Sequence, residues 1–435
     1  MTSRSPLPDH PAHDDPAASA RPGRPRTGIS RRALLLGAAG GGLAIGAAAG
    51  VGGTAIANAI QGRDEEVIDL TRSFPFYDQV HQAGIQTPPQ RYTVFMTFDL
   101  ASDMRQDVQV LLARWSGAIA QLMAGLPIGQ VEPQRADAVA PDTGEALDLA
   151  PAGLTVTVGL GPGVFDHRFG LAARRPRHLA TLPDLPSDRL QAGLSGGDLS
   201  VQACADDPQV AYHAVRDLAR MAQPTASTRW TVLGFGRASA GTGQKTPRNL
   251  MGFKDGTRNI TEQADFDRFV WARDEPAWAR GGSYQVVRKI QMNIENWDSD
   301  AIGDQQTVFG RRKAEGEPLT GTTEHDTPDF AKKDAKGEPV ISPTAHIALA
   351  AHENNGGIKI LRRGYNYTDG INQFGVLDAG LLFVSYQNDP AHFVTLQRRL
   401  GSSDRLNEYI SHISSGLFYT PPAPKRGSYL GERLF

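Results

Sequence analysis

One pattern occurs twice in this sequence, and it restricts the possible folds more than any other feature. An apolar strand that leads through Asp-Pro into a helix spans residues 199–208 and recurs at residues 381–390. In the first copy it completes the order strand, helix, strand, strand, helix, strand, which is the order of a ferredoxin-like unit. The sequence therefore predicts an α+β fold of two tandem ferredoxin-like units, each with helices on one face of an antiparallel sheet.

Hydrophobic periodicity places the elements of the first copy. Alternating apolar side chains predict strands at residues 91–98, 154–160, 199–203 and 230–232. Apolar residues at helical spacing after the first strand predict a helix that is capped by Ser102 or Asp103. A second helix is expected to begin at Pro208, with Asp207 as its cap.

The same periodicities predict the second copy. Its strands are expected at residues 284–294, 381–387 and 413–419, and its helices at residues 297–308 and 392–400. A segment rich in Gly, Ser and Thr, residues 238–250, separates the two copies as a linker. We therefore predict an N-terminal domain at residues 60–237 and a C-terminal domain at residues 251–435.

The first 59 residues have the pattern of an export signal. Residues 1–29 show no apolar periodicity and are predicted to be disordered. The pair Arg31-Arg32 precedes an uncharged run that reaches Ala59, so residues 30–59 are predicted to be a twin-arginine signal, cleaved after Ala59. The alternative is a transmembrane anchor, because the run is long enough to span a bilayer. Its Ala and Gly content makes it only weakly apolar, which favours cleavage, no stable membrane anchor, and a periplasmic or extracellular protein.

Composition limits the partners and the metal chemistry. A net charge of −2 over 435 residues gives no electrostatic basis for binding nucleic acid or an anionic membrane. The single cysteine, Cys204, excludes an intrachain disulfide and any cysteine-based iron–sulfur or structural zinc site. A metal held by histidine needs no thiol.

Three polar residues in the C-terminal half are suited to peroxide cleavage at a haem iron: a carboxylate, an imidazole and a fixed cation. Asp255 lies between Gly252 and Gly256 in a Gly-Phe-Lys-Asp-Gly segment, His346 lies in an apolar run, and Arg362 begins an Arg-Arg-Gly-Tyr segment. Each has an ordinary structural explanation by itself: a turn residue, a core histidine and a solvated arginine. Their combination is the informative observation.

These segments resemble the signature of the dye-decolourising peroxidases, the haem family that includes exported bacterial deferrochelatases. The similar segments are residues 252–256, the surroundings of His346 and residues 361–365, with further similarity at residues 81–85, 382–387 and 427–431. The resemblance thus covers nearly the whole exported chain. The sequence departs from it after His346, where Ile347-Ala348 stands in place of the Ile-Arg of many relatives, and Ala351-His352-Glu353-Asn354 in place of their Asn-Pro-Arg.

The resemblance implies a paired ferredoxin-like fold, the dimeric α+β barrel, with haem b (iron protoporphyrin IX) in its C-terminal half. His346 would be the proximal ligand to the iron, because the family signature surrounds it. Four of the eleven histidines remain as rival ligands: His81, His325, His352 and His412. A ligating imidazole donates its second N–H to an acceptor. Asp389 is one candidate acceptor, although its position before Pro390 predicts a helix cap first.

The resemblance also implies the distal residues. Asp255 would act as the acid/base and Arg362, rather than Arg363, would stabilise the developing negative charge. Arg363 would then be structural or would face a propionate. The expected haem contacts, besides His346 and Arg362, are Gly256, Thr257, Arg258, Ala351, His352 and Glu353.

The function implied is an exported peroxidase that uses hydrogen peroxide to oxidise bulky aromatic reductants such as dyes and phenolics. Because an aspartate rather than a histidine would be the acid/base, activity should favour acidic pH. The alternative is a haem-handling, deferrochelatase-like protein that binds haem or porphyrin and releases iron. The expected macromolecular partner is the twin-arginine export machinery, and a homo-oligomer is left open.

Overall fold

Ten strands form one antiparallel sheet within residues 68–236 and 246–435, the part of the chain that the computed structural model describes. The strands are β1 (Tyr92–Leu100), β2 (Thr155–Leu160), β3 (Leu199–Ala205), β4 (Ala226–Phe235), β5 (Ser283–Met292), β6 (Leu361–Arg362), β7 (Tyr365–Ile371), β8 (Leu377–Gln387), β9 (Ile410–His412) and β10 (Gly416–Thr420). The predicted disordered segment, the predicted export signal and most of the predicted linker lie outside the described residues.

The α-helices are short apart from three that pack on the sheet or on its loops. They are α1 (Arg105–Met123), α2 (Pro208–Ala222), α3 (Gln263–Asp265), α4 (Ile294–Ser299), α5 (Ile302–Phe309), α6 (His346–Ala350) and α7 (Pro390–Ser403), and α3 continues into a π-helical turn at Phe266–Val270. Single turns of 3₁₀ helix occur at Pro162–Phe165, His167–Phe169, Ala172–Arg174, Ala192–Leu194, His352–Asn354, Arg405–Glu408 and Glu432–Leu434. Among the described residues, none of the helices combines the length and the apolar character that a bilayer crossing requires.

The strand pairings repeat one order in both halves and join the halves into a closed sheet. The first half pairs its strands in the order β4-β1-β3-β2, and the second half pairs its equivalents in the order β10-β5-β8-β7. Strand β2 pairs with β10 at one junction, and β4 pairs with β7 at the other. The repeated order confirms the tandem ferredoxin-like α+β fold that the duplicated sequence pattern predicts.

Side-chain alternation on the first strand shows how the sheet separates two cores. Val94 and Phe98 pack in the larger cluster under α1 and α2, whereas Phe95 points into a second cluster on the opposite face. On α1, Trp115 is fully buried, and its indole Nε1 donates to the Leu218 carbonyl of α2 at 2.9 Å. Burying an apolar side chain of this kind contributes about 1.5–3 kcal/mol.

Most predicted elements are present with shifts at their ends, but two details differ. The predicted caps of α1 are wrong, because the helix begins at Arg105 and no side chain caps it. The hydroxyl of Ser102 instead accepts from the Met104 N–H and donates to Asp107. Asp207 and Asp389, by contrast, cap α2 and α7 by accepting backbone N–H groups.

The single helix predicted at residues 297–308 is wrong, because two short helices, α4 and α5, occupy that segment. They are separated at Asp300, which has an extended backbone and accepts a hydrogen bond from the Tyr409 hydroxyl. Three consecutive weak helix formers at residues 298–300 make this interruption favourable. The last strand begins later than predicted, at Gly416, and a separate short strand precedes it.

Candidate active site

A cleft in the second half lies between the sheet strands β5 and β8, the helices α5, α6 and α7, and the loop at residues 249–258. Its wall is largely apolar and is formed by Met251, Ile290, Met292, Phe309, Ile347, Leu381, Phe383, Phe393, Leu396, Leu400, Leu406 and Ile410. Its polar lining includes Asp255, His346 and Arg362, which the structure therefore brings together from three separate segments. Such a lining suits a flat apolar ligand with a few charged groups.

Two glycines shape the loop that carries Asp255. Gly252 has a φ of 83° and Gly256 a φ of 120°, which are conformations that side chains with a Cβ rarely adopt. The turn is held by the Arg248 guanidinium, which donates to the Gly252 carbonyl at 2.8 Å, and by the Asp255 N–H, which donates to the Pro247 carbonyl at 2.8 Å. The two glycines therefore fix the direction in which the carboxylate leaves the backbone.

Asp255 and Arg362 form an ion pair in the cleft. The Arg362 Nη1 donates to the Asp255 Oδ1 at 2.8 Å, and both side chains are about 30% exposed, at 31% and 28%. Asn259 fixes the arginine backbone from both sides: it donates to the Arg362 carbonyl at 2.7 Å and accepts from the Arg362 N–H at 2.9 Å. The motif that carries the carboxylate thus also positions the arginine, through a residue four positions further on.

His346 begins α6 and has a carboxylate partner. Its Nδ1 lies 2.6 Å from the Asp404 Oδ2, while the other oxygen of Asp404 accepts from the Leu406 N–H at 2.9 Å. Burial disfavours the charged imidazolium, but the charge and hydrogen bond of Asp404, helped by the charge of Asp255, outweigh this and raise the pKa of His346. A carboxylate on Nδ1 fixes the tautomer and leaves Nε2 with a lone pair for a metal.

The other four histidines differ in location or in partners. His81 stacks on Trp271 and contacts the Gly281 carbonyl at 2.6 Å, and the His325 side chain is 73% exposed, so neither lines the cleft. His352 and His412 do line it. Burial is the main cause that lowers the pKa of each, to about 3 for His412, so both are neutral near pH 7. Of the five histidines, only His346 bonds to a buried carboxylate.

The remaining predicted contacts are divided between the cleft lining and its support. Gly256, Thr257, Arg258, Ala351 and His352 line the cleft. Glu353 does not; it pairs with Arg258 through both oxygens, at 2.5 and 3.2 Å. Arg363 is 3% exposed and lies outside the lining, where it donates to the Thr87 carbonyl and to Gln90, which is a structural role.

Several cationic side chains line the cleft. Arg258, Arg311, Lys359 and Arg362 all line it. Burial lowers the pKa of the Arg311 guanidinium, and the positive charges of Arg258 and Arg362 lower it further, while the charge of Glu324 opposes this shift. A ligand with negatively charged groups would relieve this repulsion. An apolar wall, a carboxylate-bound imidazole and clustered cations together fit an iron porphyrin with two propionates.

Glu324 supports the Asp255 loop from outside the cleft. Its Oε2 accepts from the Lys254 ammonium at 2.6 Å, and its Oε1 accepts from the hydroxyls of Thr246 at 2.5 Å and Thr257 at 2.9 Å. Burial by itself raises the pKa of Glu324, but these three hydrogen bonds outweigh it and lower the pKa to about 2. The ionised carboxylate of Glu324 therefore holds Lys254 and Thr257, which lie on either side of Asp255.

This arrangement predicts a pH-dependent contribution to stability. Because the pKa of Glu324 is lowered on folding, its stabilisation is present above the ordinary value of 4.5 and is lost as the pH falls toward 2. Glu324→Gln should reduce the free energy of unfolding by on the order of 2–3 kcal/mol at pH 7. Urea unfolding at pH 7 and pH 3 measures the difference, with the exposed Glu315→Gln as control. A difference from wild type that is the same at both pH values would contradict the role.

Three residues of this site were not predicted from the sequence: Asp404, Asn259 and Glu324. Asn259 follows Asp255 by only four residues, but nothing in the sequence shows that it contacts Arg362. Asp404 and Glu324 lie 58 residues from His346 and 70 from Lys254, respectively. Only the folded chain brings these partners together.

Two family models match this chain. The model described as Dyp-type peroxidase, N-terminal, matches residues 82–236, and the model described as Dyp-type peroxidase, C-terminal, matches residues 246–425. Among curated relatives, the deferrochelatase of Yersinia pseudotuberculosis is 40% identical over 424 residues, covering 93% of this chain and 94% of the relative. That of Shigella boydii is 40% identical over 375 residues, covering 83% and 86%.

Solved structures agree with these matches. A DyP-type peroxidase from Streptomyces coelicolor is 43% identical, has a TM-score of 0.79, and covers 85% of this chain and 98% of its own. Ferric DtpA from Streptomyces lividans is 42% identical, with a TM-score of 0.78 and the same coverage of 85% and 98%. The chain therefore belongs to the Dyp-type peroxidase family, and it is a haem peroxidase.

Proposed function

We propose that this protein is an exported haem b peroxidase that uses hydrogen peroxide to oxidise bulky aromatic substrates such as dyes and phenolics. Asp255 is the distal acid/base, Arg362 stabilises the developing charge, and His346 holds the iron. The observation that carries this proposal is the ion pair between Asp255 and Arg362, at 2.8 Å, in a cleft that also contains the imidazole bonded to Asp404.

Each residue has a distinct task in the proposed reaction. Bound haem supplies the redox-active iron at which the O–O bond of peroxide is cleaved. The Asp255 carboxylate accepts a proton from the incoming peroxide and returns it to the departing oxygen, which leaves as water. The Arg362 guanidinium stays charged at any working pH and offsets the negative charge on that oxygen. Asp404 accepts the Nδ1–H of His346 and so keeps Nε2 directed for ligation.

The substrate proposal has a direct test. The purified, haem-loaded protein should oxidise an anthraquinone dye only when hydrogen peroxide is added, and faster at acidic pH. Absorbance of the dye measures the rate, and Asp255→Asn serves as the matched control because it keeps the shape of the side chain. Turnover without peroxide, or no turnover with it across pH 3–7, would contradict the proposal.

Haem handling is a second candidate, favoured by the relatives that are named deferrochelatases at 40% identity. In that function the cleft would bind haem and release its iron, leaving the metal-free porphyrin. Fluorescence of metal-free porphyrin, followed after mixing the protein with haem without peroxide, discriminates the two. If the protein is a peroxidase that does not release iron, we expect no more fluorescence than is seen when haem is mixed with the His346→Ala variant.

Export is proposed from the sequence, because the twin-arginine segment lies outside the described residues. Replacing Arg31 and Arg32 with lysines should leave the protein uncleaved in the cytoplasm, since lysine does not replace the paired arginines of the signal. Cell fractionation and the mass of the mature protein measure the outcome. Cleavage after Ala59 in the parent is expected, and unchanged export of the variant would point to another pathway or to a retained anchor.

A further inference from the structure

A buried cluster in the first half of the chain plays no part in the haem site. Asp142, in the long loop between α1 and β2, meets His213 and Asp217 of α2, and all three are buried, with 3%, 4% and 0% of their surface exposed. His213 and Asp217 lie four positions apart and so share one face of the helix. One possible metal-binding atom of each lies within 4.8 Å of the others.

Asp217 shows that this cluster is incomplete. Its side chain is wholly buried, yet within the described part of the chain neither Oδ1 nor Oδ2 has a hydrogen-bond partner. Oδ2 faces the His213 Nε2 at 3.5 Å, and Oδ1 lies 3.2 Å from the Arg220 guanidinium without hydrogen-bond geometry. Buried carboxylates are ordinarily paired with hydrogen-bond donors or with a metal.

The orientation of His213 is a second observation that favours a metal site in this cluster. Its Nδ1 lies 3.4 Å from the Thr143 Oγ1 and 3.2 Å from the Glu145 Oε2, a buried oxygen that has no hydrogen-bond partner among the described residues. A ring proton on Nδ1 would face this carboxylate. The Nε2 lone pair then points at two carboxylates, 3.6 Å from Asp142 and 3.5 Å from Asp217. The Asp142 Oδ2 also accepts from the Ile128 N–H at 2.8 Å. Three electron-rich atoms that face one another still repel, and a cation between them would remove this repulsion.

The distances favour a metal ion over a proton. An N–H···O hydrogen bond spans about 2.7–3.2 Å, which is shorter than both separations from Nε2. Two ligand atoms that are each about 2.1 Å from a tetrahedral metal ion lie about 3.4 Å apart, close to the observed 3.5 and 3.6 Å. A carboxylate behind the other ring nitrogen is the usual support of a ligating histidine.

The charges around the cluster also favour a bound cation. The three carboxylates of Asp142, Glu145 and Asp217 face two guanidiniums: Arg216, 3.2 Å from Glu145, and Arg220. The carboxylates therefore outnumber the guanidiniums by one. We propose that Asp142, His213 and Asp217 bind one divalent metal ion, Zn²⁺ or Mn²⁺, with Glu145 supporting the histidine. The closed, buried setting makes this a structural site that ties the loop at residues 124–154 to α2.

Metal analysis of the haem-loaded protein tests the proposal. The protein is treated with a chelator, equilibrated with ZnCl₂ or MnCl₂, freed of unbound metal and analysed by mass spectrometry. We expect about one zinc or manganese ion per chain besides the haem iron. His213→Gln with Asp217→Asn should lose it, whereas Asp137→Asn, exposed in the same loop, should keep it. Equal retention by the double variant, or no retention by the parent, would overturn the proposal.

A measurement on the parent protein alone keeps the test decisive if the double variant does not fold. Bound metal should raise the melting temperature and slow proteolytic cleavage within residues 124–154, because it fixes Asp142 to α2. Metal binding without slower cleavage in this loop would contradict the proposed site. Protection that follows pH but not metal would show that a proton on His213, and not a metal ion, occupies the cluster.

Discussion

His346→Ala is expected to yield folded protein that contains little haem. Loss of the carboxylate that orients a ligating histidine already lowers metal affinity about 10–100-fold, and loss of the imidazole itself removes the bond to iron. His346 is half-buried at the start of the short helix α6, so its truncation leaves the closed sheet intact. The haem content per chain, from the Soret absorbance against protein concentration, measures the effect.

Two matched variants make the His346 result specific. His352→Ala and His412→Ala remove the other histidines that line the cleft, and both should retain most of the haem. Circular dichroism of the three variants separates haem loss from unfolding. If His346→Ala kept a normal Soret band and full peroxidase activity, the ligand would be His352 or His412 instead.

Asp255→Asn is expected to slow peroxide cleavage by about 10²–10⁴-fold, the usual contribution of a positioned acid/base. The amide keeps the shape of the side chain and can still accept from Arg362, but it cannot take up the proton. The acidic pH dependence of the rate should therefore flatten. Stopped-flow absorbance after mixing with hydrogen peroxide, measured across pH 3–8, gives the rate and its profile.

Arg362→Leu provides the contrast, because it removes a fixed charge and no proton acceptor. Its rate should fall by about 10²–10³-fold with the pH profile unflattened. Haem content should stay near that of the parent in both variants. A profile of Asp255→Asn that runs parallel to the parent's would exclude the acid/base role, and normal rates in both variants would favour haem handling over peroxidase activity.

The duplicated strand and Asp-Pro pattern was sufficient to predict the tandem ferredoxin-like fold. Each copy carries its own alternating strands and amphipathic helices, and both Asp-Pro caps form as predicted. The closure of the sheet was not derivable from these patterns. Strand β2 meets β10 through a single residue pair, Leu160 and Tyr419, which leaves no periodic signal in either segment.

The candidate site, like the fold, could be predicted only in part from the sequence. Asp255, His346 and Arg362 stand in short motifs, so resemblance to a family is enough to single them out. The residues that support them, Asp404 and Glu324, could not be singled out in this way, because neither stands in a motif that links it to His346 or to the Asp255 loop. Which carboxylate pairs with His346 or with Lys254 depends on which loops the fold places next to each other. The two partners are 58 and 70 residues away in the sequence, so these hydrogen bonds can be identified only from the folded structure.

The closed sheet has a consequence for the order in which the protein folds. The first half by itself ends in two strand edges, β2 and β4, whose partners β10 and β7 belong to the second half. Pairing over such long sequence separation is slow, and open edges are prone to pair with other chains. The sheet can close only after residue 420 has been synthesised, so the completed first half is exposed to aggregation while the residues from 236 to 420 are being added.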